Sequence, residues 1–324
     1  MHSIPFLQQK LEKEFSSLHF GHEPRQLYEP MDYMLTLAGK RLRPLFVLIG
    51  CELFGGDYSK AMDAAIGIEL FHNFTLLHDD IMDNATKRRN QPAVHVKWNT
   101  NVAILSGDAL FVKACERMTM VDDTLLRKVL SLFYKTSIEV CEGQQLDMDY
   151  EQLNEISPEE YTAMITLKTA VLLACSLTTG SLIAGASEKD AEKIYEFGKN
   201  IGIAFQIQDD LLDAYGEHYK VGKKPGGDII EGKKTFLFSE TCCLLEGKEH
   251  LDFVNLYNNR TLQPEEKTLR VKQIFDKAGV VEATRKAIHS YFEKGFEHLK
   301  SLNLNPSAAM ELKLFCEKLL NRDH

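Results

Sequence analysis

The chain has 324 residues, 44% of them hydrophobic, with a formal net charge of −9 and a pI near 5.7. That is enough apolar material for one large core, and the acidic balance argues against a general nucleic-acid binder. Seven cysteines with no C-x-x-C spacing argue against a disulfide framework or a zinc site and fit reduced thiols in a cytoplasmic protein.

The N-terminus is polar (Gln8, Gln9, Lys10, Glu12, Lys13, Glu14) and lacks a signal-peptide apolar core. No uncharged apolar run reaches the length of a membrane span, so none is expected. Apolar residues recur at three- and four-residue steps over about 43–54, 62–84, 101–120, 124–146, 159–185, 188–214, 234–246, 265–300 and 307–320. Clean period-two alternation is absent. Ser157-Pro158-Glu159-Glu160 reads as a helix start, with Ser as cap, Pro first and Glu third. Asn305-Pro306 reads as another. The most loop-like stretch runs from Gly216 to Lys234, and no Pro/Gly/Ser linker divides the chain. The expectation is one all-α domain over residues 1–324, with a mobile basic loop beside its site.

Two acidic clusters share the pattern D-D-x-x-D: Asp79-Asp80-Ile81-Met82-Asp83 and Asp209-Asp210-Leu211-Leu212-Asp213. In a helix the outer acids of each cluster are i, i+4 neighbours on one face. Like charges at that spacing destabilise a bare helix, so two such clusters embedded in apolar sequence point to a bound cation. A single cluster is commonly a solvated face; a matched pair is harder to read that way. Carboxylate oxygens suit Mg²⁺, which takes one or two carboxylates and fills its shell with phosphate and water. That the two helices face each other is an inference from matched chemistry, since spacing cannot show it.

Cations accompany the acids. Gly39-Lys40-Arg41-Leu42-Arg43-Pro44 places three near an expected helix start, with Arg43 pushed out of helical geometry by Pro44 and Pro44 first in the helix. Helix starts favour anions. His72 lies two turns before Asp79, Arg88-Arg89 falls where the acidic helix should end, and Lys168-Thr169 interrupts an apolar stretch. Each of these alone has an ordinary structural reading. Gly227 to Lys233 fits G-x-x-x-x-G-K, but Lys234 stands where a P-loop needs Ser or Thr, so a nucleotide-binding loop is rejected. The glycines instead suit a loop closing over phosphates with Lys223 and Lys233.

Taken in order, G-K-R-L-R-P (39–44), L-L-H-D-D-I-M-D-N-A-T-K-R-R (76–89), G-D-A-L (107–110), G-Q-Q-L-D (143–147), K-T-A (168–170), Q-I-Q-D-D-L-L-D (206–213) and G-K-K-P-G-G-D-I-I-E-G-K-K-T (222–235) resemble the trans-isoprenyl diphosphate synthases, or polyprenyl synthetases. The resemblance implies a helical bundle with a central substrate cavity, a homodimer, and Mg²⁺, three ions per site with substrate bound. It implies head-to-tail condensation of isopentenyl diphosphate with allylic diphosphates (dimethylallyl, geranyl, farnesyl). It assigns metal binding to Asp79, Asp83 and Asp209, with Asp80 and Asp213 supporting. It assigns the allylic diphosphate to Arg88, Lys168 and Lys223, and isopentenyl diphosphate to Lys40, Arg43, His72 and Arg89. Thr169 and Gln206 fall near the developing carbocation; Gln144, Asp147, Asp228 and Lys233 are further candidates. Asn90 departs from the family's usual Gly after the paired Arg, which is expected to alter a turn rather than abolish activity.

Class I terpene cyclases resemble the first cluster but usually lack the second in this form and the G-K-R-L-R-P element. A non-catalytic subunit would be expected to have lost acids, and all six Asp are present. In the family, bulk just before the first cluster stops chain growth. Phe74 with small Thr75 beside it resembles short-chain synthases making C20, geranylgeranyl diphosphate, with C15 as the alternative.

Overall fold

In the computed structural model, residues 1–37, 39–216 and 226–320 are described. They are all-α apart from one two-residue hairpin, as the three- and four-residue periodicity implies. The helices are α1 (Ile4–Ser17), α2 (Arg25–Thr36), α3 (Leu42–Leu53), α4 (Met62–Met82), α5 (Val94–Lys97), α6 (Thr100–Met118), α7 (Asp123–Glu151), α8 (Pro158–Ile165), α9 (Val171–Ile183), α10 (Glu188–Tyr215), α11 (Gly227–Glu231), α12 (Phe236–Leu244), α13 (Gly247–Asn258), α14 (Pro264–Ala278), α15 (Val280–Lys300) and α16 (Pro306–Leu320). The strands β1 (Lys87–Arg88) and β2 (Gln91–Pro92) are antiparallel.

The chain divides into two compact units: Met1–Phe133 with Cys175–Glu192 and Leu304–Ala309, and Tyr134–Ala174 with Lys193–Asn303 and Met310–His324. In the first, α4 is the central helix. Ala64 to Phe71 are all buried, because a helix enclosed on every side needs apolar residues around its whole circumference. Helix α6 lies against it so closely that a Cβ on Gly107 would fall 2.3 Å from His78 Nε2. In the second unit, α10 buries Ile194, Phe197, Ile201, Ala204, Ile207 and Leu211, a stripe at three- and four-residue steps. Each large side chain of such a stripe contributes about 1.5–3 kcal/mol on burial. Phe238, Phe253 and Tyr257 join α12 to α13, with the Phe238 and Tyr257 rings 4.4 Å apart.

The structure corrects several local expectations. Residues 265–300 are two helices, because Gly279 takes φ 74° and ends α14. Helices α1, α2, α5, α11 and α13 lie outside the periodic segments. Arg43 is helical rather than extended: α3 starts at Leu42, and the chain breaks at Arg41, which is left-handed at φ 43°. Pro44 is third in α3, still in the first turn, where a missing N–H removes no helical bond. Ser157 and Glu160 do form the capping box, and Asn305 accepts from Ser307 N ahead of α16. The stretch Pro158–Ile183 is, by length and composition, apolar enough to cross a membrane, but 72% of its most apolar 18-residue window is buried within the molecule, as in a core helix.

Candidate active site

The first acidic cluster closes α4. Asp79 lies in its last turn, Asp83 is its cap, and Asp83 N–H donates to the Asp79 carbonyl at 2.9 Å. Asp80 points elsewhere. It is buried, and its Oδ1 accepts from Arg88 Nη2 at 2.5 Å and from Nε at 2.9 Å. Arg88 Nη2 also reaches Asp79 Oδ2 at 3.1 Å. Burial pushes the Asp80 carboxyl up, against the pull of Arg88. Asp80, placed by sequence among the supporting metal ligands, pairs with Arg88 through Oδ1, while its buried Oδ2 has no hydrogen-bond partner among the described residues. Removing one partner of a buried pair costs about 3–5 kcal/mol.

Arg88 and Arg89 stand on either side of the start of a tight turn. Arg89 and Asn90 take φ 52° and 64° between the paired residues Arg88 and Gln91. Two successive left-handed residues are what a two-residue hairpin loop requires, and Asn tolerates that region better than most residues. Asn90 therefore fills the place of the expected Gly within the turn. The reversal sends Arg89 away from Arg88: its Nη1 donates to the Leu37 carbonyl at 2.8 Å.

His72 sits one element away, with Nε2 3.2 Å from Arg43 Nη1. Burial and the charges of Arg43, Arg89 and Arg88 hold His72 well below the ordinary histidine range. It therefore meets Arg43 as a neutral acceptor. Glu69, one turn earlier on α4, was not singled out by sequence. It is buried, raised by that burial and opposed by the charges of Arg43, Arg89 and Arg41. An acid inside the apolar run Ala64–Phe71 was the available signal. Lys40 is exposed before the α3 cap. Phe74 is half-buried among aromatic rings, 5.3 Å from Phe111, 5.7 Å from Phe71 and 4.8 Å from His78.

The second cluster lies inside α10, in the other unit. Asp209 and Asp213 are half-buried. Asp210, like Asp80, is turned inward: Tyr161 Oη donates to its Oδ2 at 2.5 Å, Phe236 N to the same oxygen at 3.0 Å, and Gln206 Nε2 to Oδ1 at 3.2 Å. Burial, reinforced by the charge of Asp228, pushes Asp210 up to about 7. Gln206 Oε1 in turn accepts from Thr169 Oγ1 at 3.1 Å. Asp213 Oδ2 accepts from Asp228 N at 3.0 Å.

Lys168 and Thr169 lie on a π-helical turn, Thr166–Ala170, inserted between α8 and α9. Such turns recur at functional sites because they re-aim side chains. Lys168 Nζ is 2.5 Å from Asp147 Oδ2 on α7. The turn is pressed between two helices: a Cβ on Gly143 would lie 2.2 Å from Lys168 N, and one on Gly202 2.6 Å from Ala170 Cα. Beside Gly143, the buried Nε2 of Gln144 has no hydrogen-bond partner among the described residues. Lys233 lies near Glu231 at 3.5 Å, and Lys223 lies outside the described residues. A cleft of about 450 Å³ between residues 154–155 and α13 contains none of the site residues.

The outer acids of both clusters are oxygen donors, half-buried except for the exposed Asp83, with no His or Cys among them. Among the described residues no three His, Cys, Asp or Glu side chains form a complete metal cage. The donors of each cluster fit Mg²⁺, whose remaining ligands would come from diphosphate and water.

Residues 24–276 match a family described as polyprenyl synthetase. The chain is 37% identical over 303 residues to the geranylgeranyl diphosphate synthase of Methanosarcina mazei, covering 93% of this chain and 91% of that protein. It superposes on a crystal structure of a geranylgeranyl pyrophosphate synthase with TM-score 0.94, 40% identity and 99% coverage of each chain. The synthetase of that name from Pyrococcus horikoshii gives TM-score 0.91 at 33% identity, with 98% of each chain covered.

Proposed function

The chain belongs to the polyprenyl synthetase family, and from that premise we propose that it condenses isopentenyl diphosphate head to tail with allylic diphosphates, making mainly geranylgeranyl diphosphate. The observation that carries the reading is the matched construction of the two clusters. In each, the inner acid is buried and hydrogen-bonded, while the outer acids, about 100° or more round the helix, are more exposed. Two unrelated surface faces would have no reason to share that design. The match over residues 24–276 supports treating the chain as one catalytic domain.

Asp79, Asp83 and Asp209 would hold Mg²⁺, three ions with substrate bound, with Asp80 and Asp213 supporting. When bound, the metal supplies positive charge where the departing diphosphate gathers negative charge. Arg88 and Lys168 grip that same diphosphate, with Lys223 and Lys233 as loop cations. Arg88 is already aimed by Asp80, and Lys168 by Asp147, so little ordering is left for substrate binding. Lys40, Arg43, His72 and Arg89 hold isopentenyl diphosphate, which stays attached to its carbon chain and needs only positioning. A neutral His72 accepts from Arg43 Nη1 and so helps to fix the guanidinium in place. Gln144 offers a buried donor that a ligand oxygen would satisfy. Phe74, braced by Phe71 and Phe111, forms the stop for the growing chain. The expected protein is a cytoplasmic homodimer; exposed Leu105 and Val112, two turns apart on α6, support a partner-covered face.

The test is incubation with labelled isopentenyl diphosphate and each allylic primer, with and without Mg²⁺, and chromatography of the products. Mainly C20 product that vanishes on thorough chelation is expected. Turnover undiminished by chelation, or no condensation with Mg²⁺ present, would refute the reading.

A further inference from the structure

Tyr161 and Asp210 have no part in the assignments above, yet they are joined to two residues that do. The connection runs Tyr161 Oη to Asp210 Oδ2 (2.5 Å), Asp210 Oδ1 to Gln206 Nε2 (3.2 Å), and Gln206 Oε1 to Thr169 Oγ1 (3.1 Å). All four belong to the same compact unit. Tyr161 and Asp210 are buried.

The chain has a direction, and that direction is fixed by elementary donor and acceptor chemistry. Asp210 accepts on both oxygens, from Tyr161 Oη and Phe236 N on Oδ2 and from Gln206 Nε2 on Oδ1. Phe236 N–H, which can only donate, already occupies Asp210 Oδ2 beside the Tyr161 hydroxyl. The end of Gln206 that faces Asp210 must therefore be its NH₂. Its carbonyl oxygen must then face Thr169. A carbonyl cannot donate, so the Thr169 hydroxyl proton is committed to Gln206. What remains on Thr169 Oγ1 is lone-pair density. Were the Gln206 amide turned over, its NH₂ would occupy Thr169 Oγ1 and the hydroxyl proton would point outward instead. The local dipole would then be reversed.

The geometry points to Tyr161 and Asp210 as positioning residues that lock the amide of Gln206, and so present the oxygen of Thr169, lone pairs outward, to the carbon that becomes positive when the allylic diphosphate leaves. This rests on the prenyltransferase reading given under Proposed function and on the place beside the developing carbocation that the family resemblance implies for Thr169 and Gln206. The π turn supports it, since the turn carrying Thr169 is fixed by backbone contact at Gly143 and Gly202 and cannot rotate to correct a misdirected hydroxyl. A preorganised dipole of this kind acts on charge that develops in the transition state and leaves ground-state binding nearly untouched.

The experiment compares two ligands by calorimetry in the presence of Mg²⁺. One is a thiolodiphosphate analogue of the allylic substrate, neutral at the reacting carbon. The other is an ammonium analogue carrying positive charge at that carbon. Tyr161→Phe is expected to bind the ammonium analogue about tenfold more weakly, while affinity for the neutral analogue stays within about twofold. In turnover, kcat should fall about tenfold with both KM values within about twofold. Thr169→Val should show the same selective loss and Thr169→Ser should restore it, which keeps the proposal testable if Tyr161→Phe fails to fold. Equal weakening of both analogues would mean a packing role and would overturn the proposal, as would no selective loss in Thr169→Val. Wild-type protein that binds neither analogue would overturn the prenyltransferase reading itself, and this inference with it.

Discussion

Gly143→Ala should damage catalysis far more than stability. The added Cβ would lie 2.2 Å from Lys168 N, 2.6 Å from Lys168 Cα and 2.7 Å from the Leu167 carbonyl carbon. Non-bonded carbon contacts are comfortable near about 3.5–4.0 Å, so α7 and the π turn must part by roughly 1 Å. All three obstructing atoms are backbone, and no rotamer change relieves them. Overpacking of this size costs about 1–3 kcal/mol, while alanine's better helix propensity returns about 1 kcal/mol. The net loss is then about 0–2 kcal/mol, a shift of a few degrees in Tm. The displaced residues, however, are Lys168 and Thr169. A misplacement near 1 Å can cost about 100-fold in rate. The assay is kcat from product formation, beside Tm from thermal unfolding. Wild-type kcat with an unchanged Tm would show that the contact is not limiting and that the π turn is not held by it.

Asp209→Ala should lower kcat by about 100-fold or more while the protein stays folded, because its effect falls on charge developing in the transition state; single-turnover measurements at saturating substrate would check this, and an unaltered rate would remove Asp209 from the metal site. Lys40→Ala and Arg43→Ala should raise KM for isopentenyl diphosphate more than for the allylic substrate, and the opposite ordering in steady-state kinetics would exchange the two sites. Phe74→Ala should open the floor and lengthen the products beyond C20, read by chromatography; an unchanged distribution would mean that another side chain is the stop. His72 is held below the ordinary histidine value of 6.5, so the folded state binds fewer protons than the unfolded one on the acid side. The stability it contributes is complete above pH 6.5 and is lost as pH falls through its lower folded value. His72→Gln should flatten that acid-side decline in denaturant titrations, and an identical slope in both proteins would contradict the assignment.

The helices around both acidic clusters could be read in the sequence because their apolar period is strong and long. The role of the inner acids could not. Helical spacing puts Asp80 and Asp210 about 100° round from their neighbours, but not against what. Their partners come from distant segments: Arg88 across a hairpin, Tyr161 from α8 and Phe236 from α12. Glu69 escaped notice for the same reason, since the arginines that oppose its burial lie on α3, its cap and the hairpin. The π turn has no local signature either. Its register is set by two glycines on other helices, and only the tertiary fold brings those to it. Gly279 was a missed signal of another kind, a single left-handed residue inside an apolar pattern that continues in phase on both sides.

The hairpin after the first cluster has a further consequence. Arg88 and Arg89 are chain neighbours, yet one turns back to Asp79 and Asp80 and the other reaches the Leu37 carbonyl, passing 2.2 Å from where a Cβ on Gly39 would stand. On the proposed assignment, a single peptide unit parts the grip on the electrophile from the grip on the nucleophile. The two reactants cannot then be tuned independently at this point. Lengthening the turn by one residue would rotate both guanidiniums at once, and the affinity for each diphosphate should change together. A laboratory selection for altered primer preference that admits changes here should keep recovering variants in which the partner's affinity has drifted as well.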